Sequence, residues 1–266
     1  MFIIAGCSVA SAAWAEAATL KTRSGDEFSL SVSSYTYEEP SIYVSTTGDK
    51  FGMNYAGTVA LQNDWFVKDD LRFAYGKVDY SGSGVQLGAP DWYYEVRGML
   101  GRDYQVRNVV YSPYIGFGYR HLFNDVRGYS NTGYAGYRRE SNYFYLPLGV
   151  TQHLEMPDQA VLSTTVEFDY LLLGKQLTRL SDLIGQGGMV SASDTTNRQN
   201  SGYGLRLSMM YEMSDWGFGP FIHYWNIADS EITTQVMTDT FGPALVSLRE
   251  PQNQTIEYGI RAMFRF

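Results

Sequence analysis

The chain is 266 residues long, 18% charged and 15% aromatic, with 22 Tyr, 14 Phe and 27 Gly but only 8 Pro. No apolar run reaches the ~18–20 residues of a membrane-spanning helix, and charge falls below the roughly 25% of an ordinary soluble domain, which excludes helical membrane proteins, disordered chains and collagen-like repeats. A net charge of −8 offers no footprint for a phosphate backbone, so nucleic acid is excluded as a partner and a Tyr- and Gly-rich β-fold remains, either soluble or a membrane barrel.

Residues 1–15 read as a signal peptide. A short apolar stretch is followed by small residues, and Ala13-Trp14-Ala15 fits an A-x-A cleavage site, although a basic leading region is missing. Cys7 is the only cysteine, and Ile4-Ala5-Gly6-Cys7 has the look of a lipobox; with six residues before it, a small residue inside the signal is the favoured reading. A chain that loses Cys7 has no disulfide, thiolate metal site or cysteine nucleophile.

From about residue 26 to the end, a single domain of ten strands is expected. Hydrophobicity alternates with period two over roughly ten residues at a time, between turn signals. Phe28, Leu30 and Val32 oppose Ser29, Ser31 and Ser33. A less regular strand covers about 51–66. Leu71, Phe73 and Tyr75 oppose Arg72, Ala74 and Gly76. Trp92, Tyr94, Val96 and Leu100 oppose Tyr93, Glu95, Arg97 and Met99. Ile115, Phe117 and Tyr119 oppose Tyr114, Gly116, Gly118 and Arg120. A strand over about 142–153 follows, then Leu162, Thr164, Val166, Phe168 and Tyr170 opposing Ser163, Thr165, Glu167 and Asp169. Tyr203, Leu205, Leu207, Met209 and Tyr211 oppose Gly204, Arg206, Ser208, Met210 and Glu212. In 217–227 both faces are apolar, so His223 has no assigned side. The last segment is the clearest: Ile256, Tyr258, Ile260, Ala262, Phe264 and Phe266 against Thr255, Glu257, Gly259, Arg261, Met263 and Arg265.

Short connections at Val67–Asp70, Gly101–Asn108, Leu154–Ala160 and Ser214–Gly217 alternate with long ones at Glu39–Lys50, Ser81–Pro90, Phe123–Ser141, Gly174–Ser201 and Ala228–Gln252. An even strand number with short turns at one end and long loops at the other is the layout of an up-and-down transmembrane barrel. Hydrocarbon offers no partner for free N–H and C=O groups, so an exported β-chain spans only as a closed barrel. The apolar face then meets lipid, with Trp65, Trp92, Trp216 and Tyr258 as head-group girdle residues.

The other face puts Arg72, Arg97, Arg120, Arg206 and Arg261 in the lumen with Glu95, Glu167, Asp169, Glu212 and Glu257. Ten strands enclose a narrow space, and buried ions must be paired. The balanced set predicts an ion-pair network and a plugged lumen, or one passing only water and small ions.

The alternating aromatics Tyr258, Phe264 and Phe266, with Arg265-Phe266 at the end, resemble the C-terminal signature that the outer-membrane assembly machinery recognises. The chain thus resembles Gram-negative outer-membrane β-barrel proteins, which implies residence in the outer membrane and lipid, lipopolysaccharide and that machinery as partners. Size and strand number are similar to omptins, ten-stranded outer-membrane proteases whose acidic pair and Asp-x-His element lie near the barrel mouth. No Asp-x-His occurs here, and Glu167-Phe168-Asp169 has no His two residues away.

His121, His153 and His223 lack metal-ligand spacing, so neither a metal nor a cofactor is expected, and the chain reads as a non-enzyme. A structural or surface-interaction role follows, with Tyr129, Tyr134, Tyr137, Arg138 and Arg139 of one long loop as candidate contacts to an extracellular ligand. A narrow porin-like channel is the alternative, and a hydrolase of omptin type a more distant one.

Overall fold

A computed structural model describes residues 20–266; the expected signal peptide, its cleavage site and Cys7 lie outside the described residues. The strands are β1 Gly25–Glu39, β2 Val44–Ala60, β3 Trp65–Ser81, β4 Val85–Arg102, β5 Tyr104–Val106, β6 Val109–Tyr129, β7 Ala135–Glu155, β8 Val161–Thr178, β9 Met189–Ser191, β10 Thr195–Gln199, β11 Gly202–Met213, β12 Trp216–Ile227, β13 Thr233–Asp239, β14 Gly242–Leu248 and β15 Asn253–Arg265. Ten of them close a ring of antiparallel neighbours in the order β1-β2-β3-β4-β6-β7-β8-β11-β12-β15, with β15 returning to β1. Closure leaves the ring without an unpaired edge.

Alternation sorts the side chains as the two media require. Phe28, Leu30 and Val32 lie beside Phe264, Ala262 and Ile260 on the outside, and they stay exposed because nothing of the protein covers them. Their inward neighbours Ser29, Ser31 and Ser33 are buried. The same division holds along β3, β4, β8 and β11, where Leu71, Val96, Phe168 and Leu205 point out while Arg72, Glu95, Glu167 and Arg206 are buried. An apolar exterior on a closed sheet is stable in lipid and unstable in water.

β1 begins and β15 ends at the same end of the barrel, where Asp26 and Phe266 exchange backbone hydrogen bonds of 3.2 and 3.0 Å. The structure moves one turn at this terminal end. Val67–Asp70 is strand, and the chain reverses at Leu61–Asp64, with Asn63 (φ 59°) and Asp64 (φ 66°) in the left-handed region that Asn and Asp tolerate. The charges in Val67–Asp70 imitate a turn, but Lys68 and Asp70 face the interior and are paired there.

At the opposite, loop end the strands run well past the apolar girth. Three of the expected long loops are mostly strand, closed by the tight connections Pro40–Tyr43, Gly82–Gly84 and Ser130–Tyr134. The other two fold together. β10 continues the barrel wall by pairing with β8, and β9, β13 and β14 make a small separate sheet. Asn197 ties the two loops by bonds of 3.2 Å from Nδ2 to the carbonyls of Glu231 and Leu248.

Candidate functional site

The inward side chains build a layer across the middle of the barrel, the waist. Arg206 (β11) reaches across the lumen to Glu95 (β4), donating from Nη1 and Nη2 at 2.9 and 2.5 Å. Its Nε lies 2.6 Å from Asp169 and 3.0 Å from Glu167, both on the neighbouring β8. The Tyr145 hydroxyl donates to Glu95 as well. Glu257 (β15) is held by Arg72 at 3.0 Å, by the Tyr93 hydroxyl at 2.7 Å and by the Ser33 hydroxyl at 2.8 Å. Arg72 also touches His223. Arg97 bridges Asp70 and Glu167 at 2.5 and 2.7 Å. Such multiply donated carboxylates are how a buried charge is kept ionised without a large penalty.

Aromatic rings fill what the ion pairs leave open. Tyr143, Tyr145, Leu171, Trp225 and Ile227 pack together, with Trp225 almost wholly buried. The Arg120 guanidinium carbon sits 4.6 Å from the Tyr93 ring centre and 5.6 Å from that of Trp225, a cation held by ring faces. The glycines interleaved with these residues make room for tyrosines: a Cβ on Gly118 would stand 2.2 Å from the Tyr145 ring, and one on Gly149 2.4 Å from Tyr114.

Of the ten residues expected in the lumen, eight are drawn into or against this layer: Arg72, Glu95, Arg97, Arg120, Glu167, Asp169, Arg206 and Glu257. Two are not. Glu212 sits at the terminal rim, 3.2 Å from Arg265, which also pairs with Glu27. Arg261 lines the space below the waist, its guanidinium carbon 5.2 Å from the Phe221 ring centre. Several residues of the site were missed by sequence reasoning. Lys50 is buried against Asp91 and 4.2 Å from the Tyr35 ring centre. Extending the Phe51-Met53-Tyr55 alternation back by one position points Lys50 inward, and that signal was available. His223 and Trp225 turn out to face the lumen.

The waist separates two cavities that share no lining residue, and Tyr93, Glu95, Tyr145, Asp169, Trp225 and Glu257 line neither. The loop-end cavity, about 500 Å³, is walled by Tyr35, Tyr37, Tyr80 and Tyr137 with Glu39 and Arg139. Arg139 holds both Glu39 and Glu250, and the Tyr37 hydroxyl donates to Glu39 at 2.6 Å. Burial pushes Glu250 up to about 7; the nearby Glu39 adds to this and Arg139 opposes it. Arg138 is turned to Asp182, donating at 2.9 and 2.8 Å, and these bonds hold the Asp182 carboxyl below the usual range. Tyr129 and Tyr134 are exposed at the tip. The second cavity, about 400 Å³, opens at the terminal end, where Leu20–Arg23 lie along its rim and Thr22 bonds to Asp103 at 2.7 and 2.9 Å.

The histidines stay apart. His121 lies outside the barrel, tilted against Trp92 and Tyr94 at ring-centre distances of 5.3 and 5.2 Å; His153 meets Ser163 at 2.8 Å; His223 is in the waist. Among the described residues none of the three bonds to a carboxylate, and no group of His, Cys, Asp and Glu is arranged to hold a metal. On the outer wall, Tyr258, Phe264 and Phe266 all face outward, and Trp65 and Trp216 open their strands at the terminal end. Tyr258 lies mid-strand, opposite Ile222 and Ser34, rather than at a rim.

No family model matches the sequence, and no curated protein matches it. Solved structures share its fold. The outer-membrane protease OmpT from Escherichia coli superimposes with a TM-score of 0.60 at 10% identity, over 93% of this chain and 100% of that one. The translocator domain of the autotransporter NalP from Neisseria meningitidis gives a TM-score of 0.41 at 11% identity over 92% and 90% of the two chains. The P. putida toluene transporter TodX gives 0.31 at 9% identity over 92% and 91%. Likeness at such identities is likeness of fold, and the last two are too loose to carry more. In its closed ten-stranded sheet and its apolar girth the chain has the fold of the Gram-negative outer-membrane β-barrel proteins.

Proposed function

We propose that this protein is an outer-membrane barrel that does not conduct, with the end where β1 begins and β15 ends toward the periplasm and a structural or surface-interaction role carried by the loop end. The observation that supports this is the waist: two cavities with no lining residue in common, divided by side chains whose charges are paired. A diffusion pore needs a continuous wet path, or an unbalanced ring of charge at its narrowest point. Tyr129 and Tyr134 are the exposed aromatics through which the loop end meets an extracellular ligand or lipopolysaccharide, while Arg138 and Arg139 serve to brace that end.

Planar-bilayer recording tests the reading. The wild-type barrel is expected to give no conductance steps, and Glu95→Ala combined with Arg206→Ala is expected to give steps by hollowing the waist. Steps of equal size in wild type and double variant would instead establish the narrow channel.

A further inference from the structure

One wall of the terminal-end cavity carries an arginine with nothing to donate to, beside two further polar side chains. Arg261 on β15, Ser29 on β1 and Asn54 on β2 all line it. Ser29 stands directly opposite Asn54, and opposite Met263, one inward-facing step from Arg261. Side chains so placed on one sheet face are about 5 Å apart when opposite and about 7–8 Å apart on the diagonal. Among the described residues the Arg261 side chain forms no ion pair and no hydrogen bond, and its Nε is buried without a partner. The Ser29 hydroxyl and the Asn54 amide line the same space, and Asn54 Oδ1 is a buried acceptor with no partner of its own.

The nearby acids do not fill the gap. Asp70 and Glu167 are taken by Arg97, and Glu27 and Glu212 by Arg265. Arg72, directly opposite Asn54 on β3, is matched by Glu257. Its guanidinium carbon and that of Arg261 lie 5.1 and 5.2 Å from the same Phe221 ring centre. Two cations therefore crowd one ring; Glu257 is bonded to one of them, and Asp70, the acid that attracts Arg261, is bonded to Arg97. A guanidinium inside a protein with no ion-pair partner of its own is costly, and a small anion lowers that cost.

We propose that this wall is a binding site for a phosphate-type oxyanion entering from the terminal end. Arg261 supplies the charge and a planar fork of donors suited to oxyanions. The Ser29 hydroxyl and the Asn54 amide supply further donors from two other strands. A carboxylate spends both oxygens on the fork; a tetrahedral anion keeps oxygens for the other two strands. This does not depend on the waist being closed.

The test is calorimetric titration of the folded barrel in detergent micelles at fixed ionic strength with inorganic phosphate, glycerol phosphate and acetate. Saturable phosphate binding is expected, about tenfold or more weaker in Arg261→Gln and unchanged in Arg138→Gln at the far end. Glycerol phosphate binding as well as phosphate assigns the site to phosphoryl groups on a larger molecule; binding of inorganic phosphate alone assigns it to the free ion. No saturable phosphate binding, acetate binding as tightly as phosphate, or wild-type affinity in Arg261→Gln would overturn the proposal. Should Arg261→Gln fail to fold, Ser29→Val takes its place, and an unchanged affinity there overturns it equally.

Discussion

Arg206 is the residue on which most of the waist's charge converges, since Glu95, Glu167 and Asp169 all depend on it. Arg206→Ala leaves three carboxylates facing one another, with Arg97 and, opposite Glu95 on β6, Arg120 as the cations still close by. Breaking a buried ion pair from one side costs about 3–5 kcal/mol, and urea unfolding of the barrel in vesicles is expected to register a loss of that size. Arg206→Lys should recover part of it, because an ammonium restores the charge but not the fork. Glu250 gives a second prediction, in pH. Its carboxyl is held at about 7 against an ordinary 4.5, so the folded protein binds its proton more tightly than the unfolded chain. The resulting stability is fully present below about 4.5 and is lost as pH rises through about 7. Thermal melting in micelles should therefore fall across that window in the wild type, and the Glu250→Gln variant should lack this part of the fall.

Strands rather than residues explain what the sequence revealed and what it hid. β15, β11, β8, β4 and β1 were legible because lipid and lumen impose opposite polarity on odd and even positions, so Phe264 and Arg265 differ as sharply as Leu205 and Arg206. The signal fades where the media become alike. Beyond the girth both faces of β1, β2, β4, β6 and β7 meet polar surroundings, so strand there has the composition of loop; the inward place of Asp91 was lost with it, and Arg139 read as a loop contact instead of a brace. In β12 the opposite happens: Trp225 inside and Ile222 outside are equally apolar, and periodicity cannot orient them. Nor does any local pattern announce a waist, because Arg206 and Glu95 are 111 residues apart and meet only when the sheet closes. The β13–β14 hairpin pairs with β9 and not with the barrel ring. Deleting residues 232–248 is expected to leave a barrel that still shows a heat-modifiable gel shift; a loss of that shift would show the hairpin to be needed for the ring.

Taken whole, the molecule is a net-acidic polypeptide turned so that charge points inward at the middle and outward only at its ends. Spin labels at positions 258 and 261 are expected to report different surroundings, oxygen-rich lipid for the first and a polar, oxygen-poor interior for the second; matching accessibilities would contradict the orientation of the sheet. The seam between β1 and β15, from Glu27–Arg265 to Glu38–Gln254, joins the earliest strand to the final one. Synthesis delivers those partners at opposite moments. Until the last dozen residues arrive, β1 and β12 each present a raw flank of amides, and no shorter intermediate can retire both. The nascent polypeptide must therefore be chaperoned in full before it can commit, and a truncation of even the closing strand should forfeit the entire ring rather than one-tenth of it.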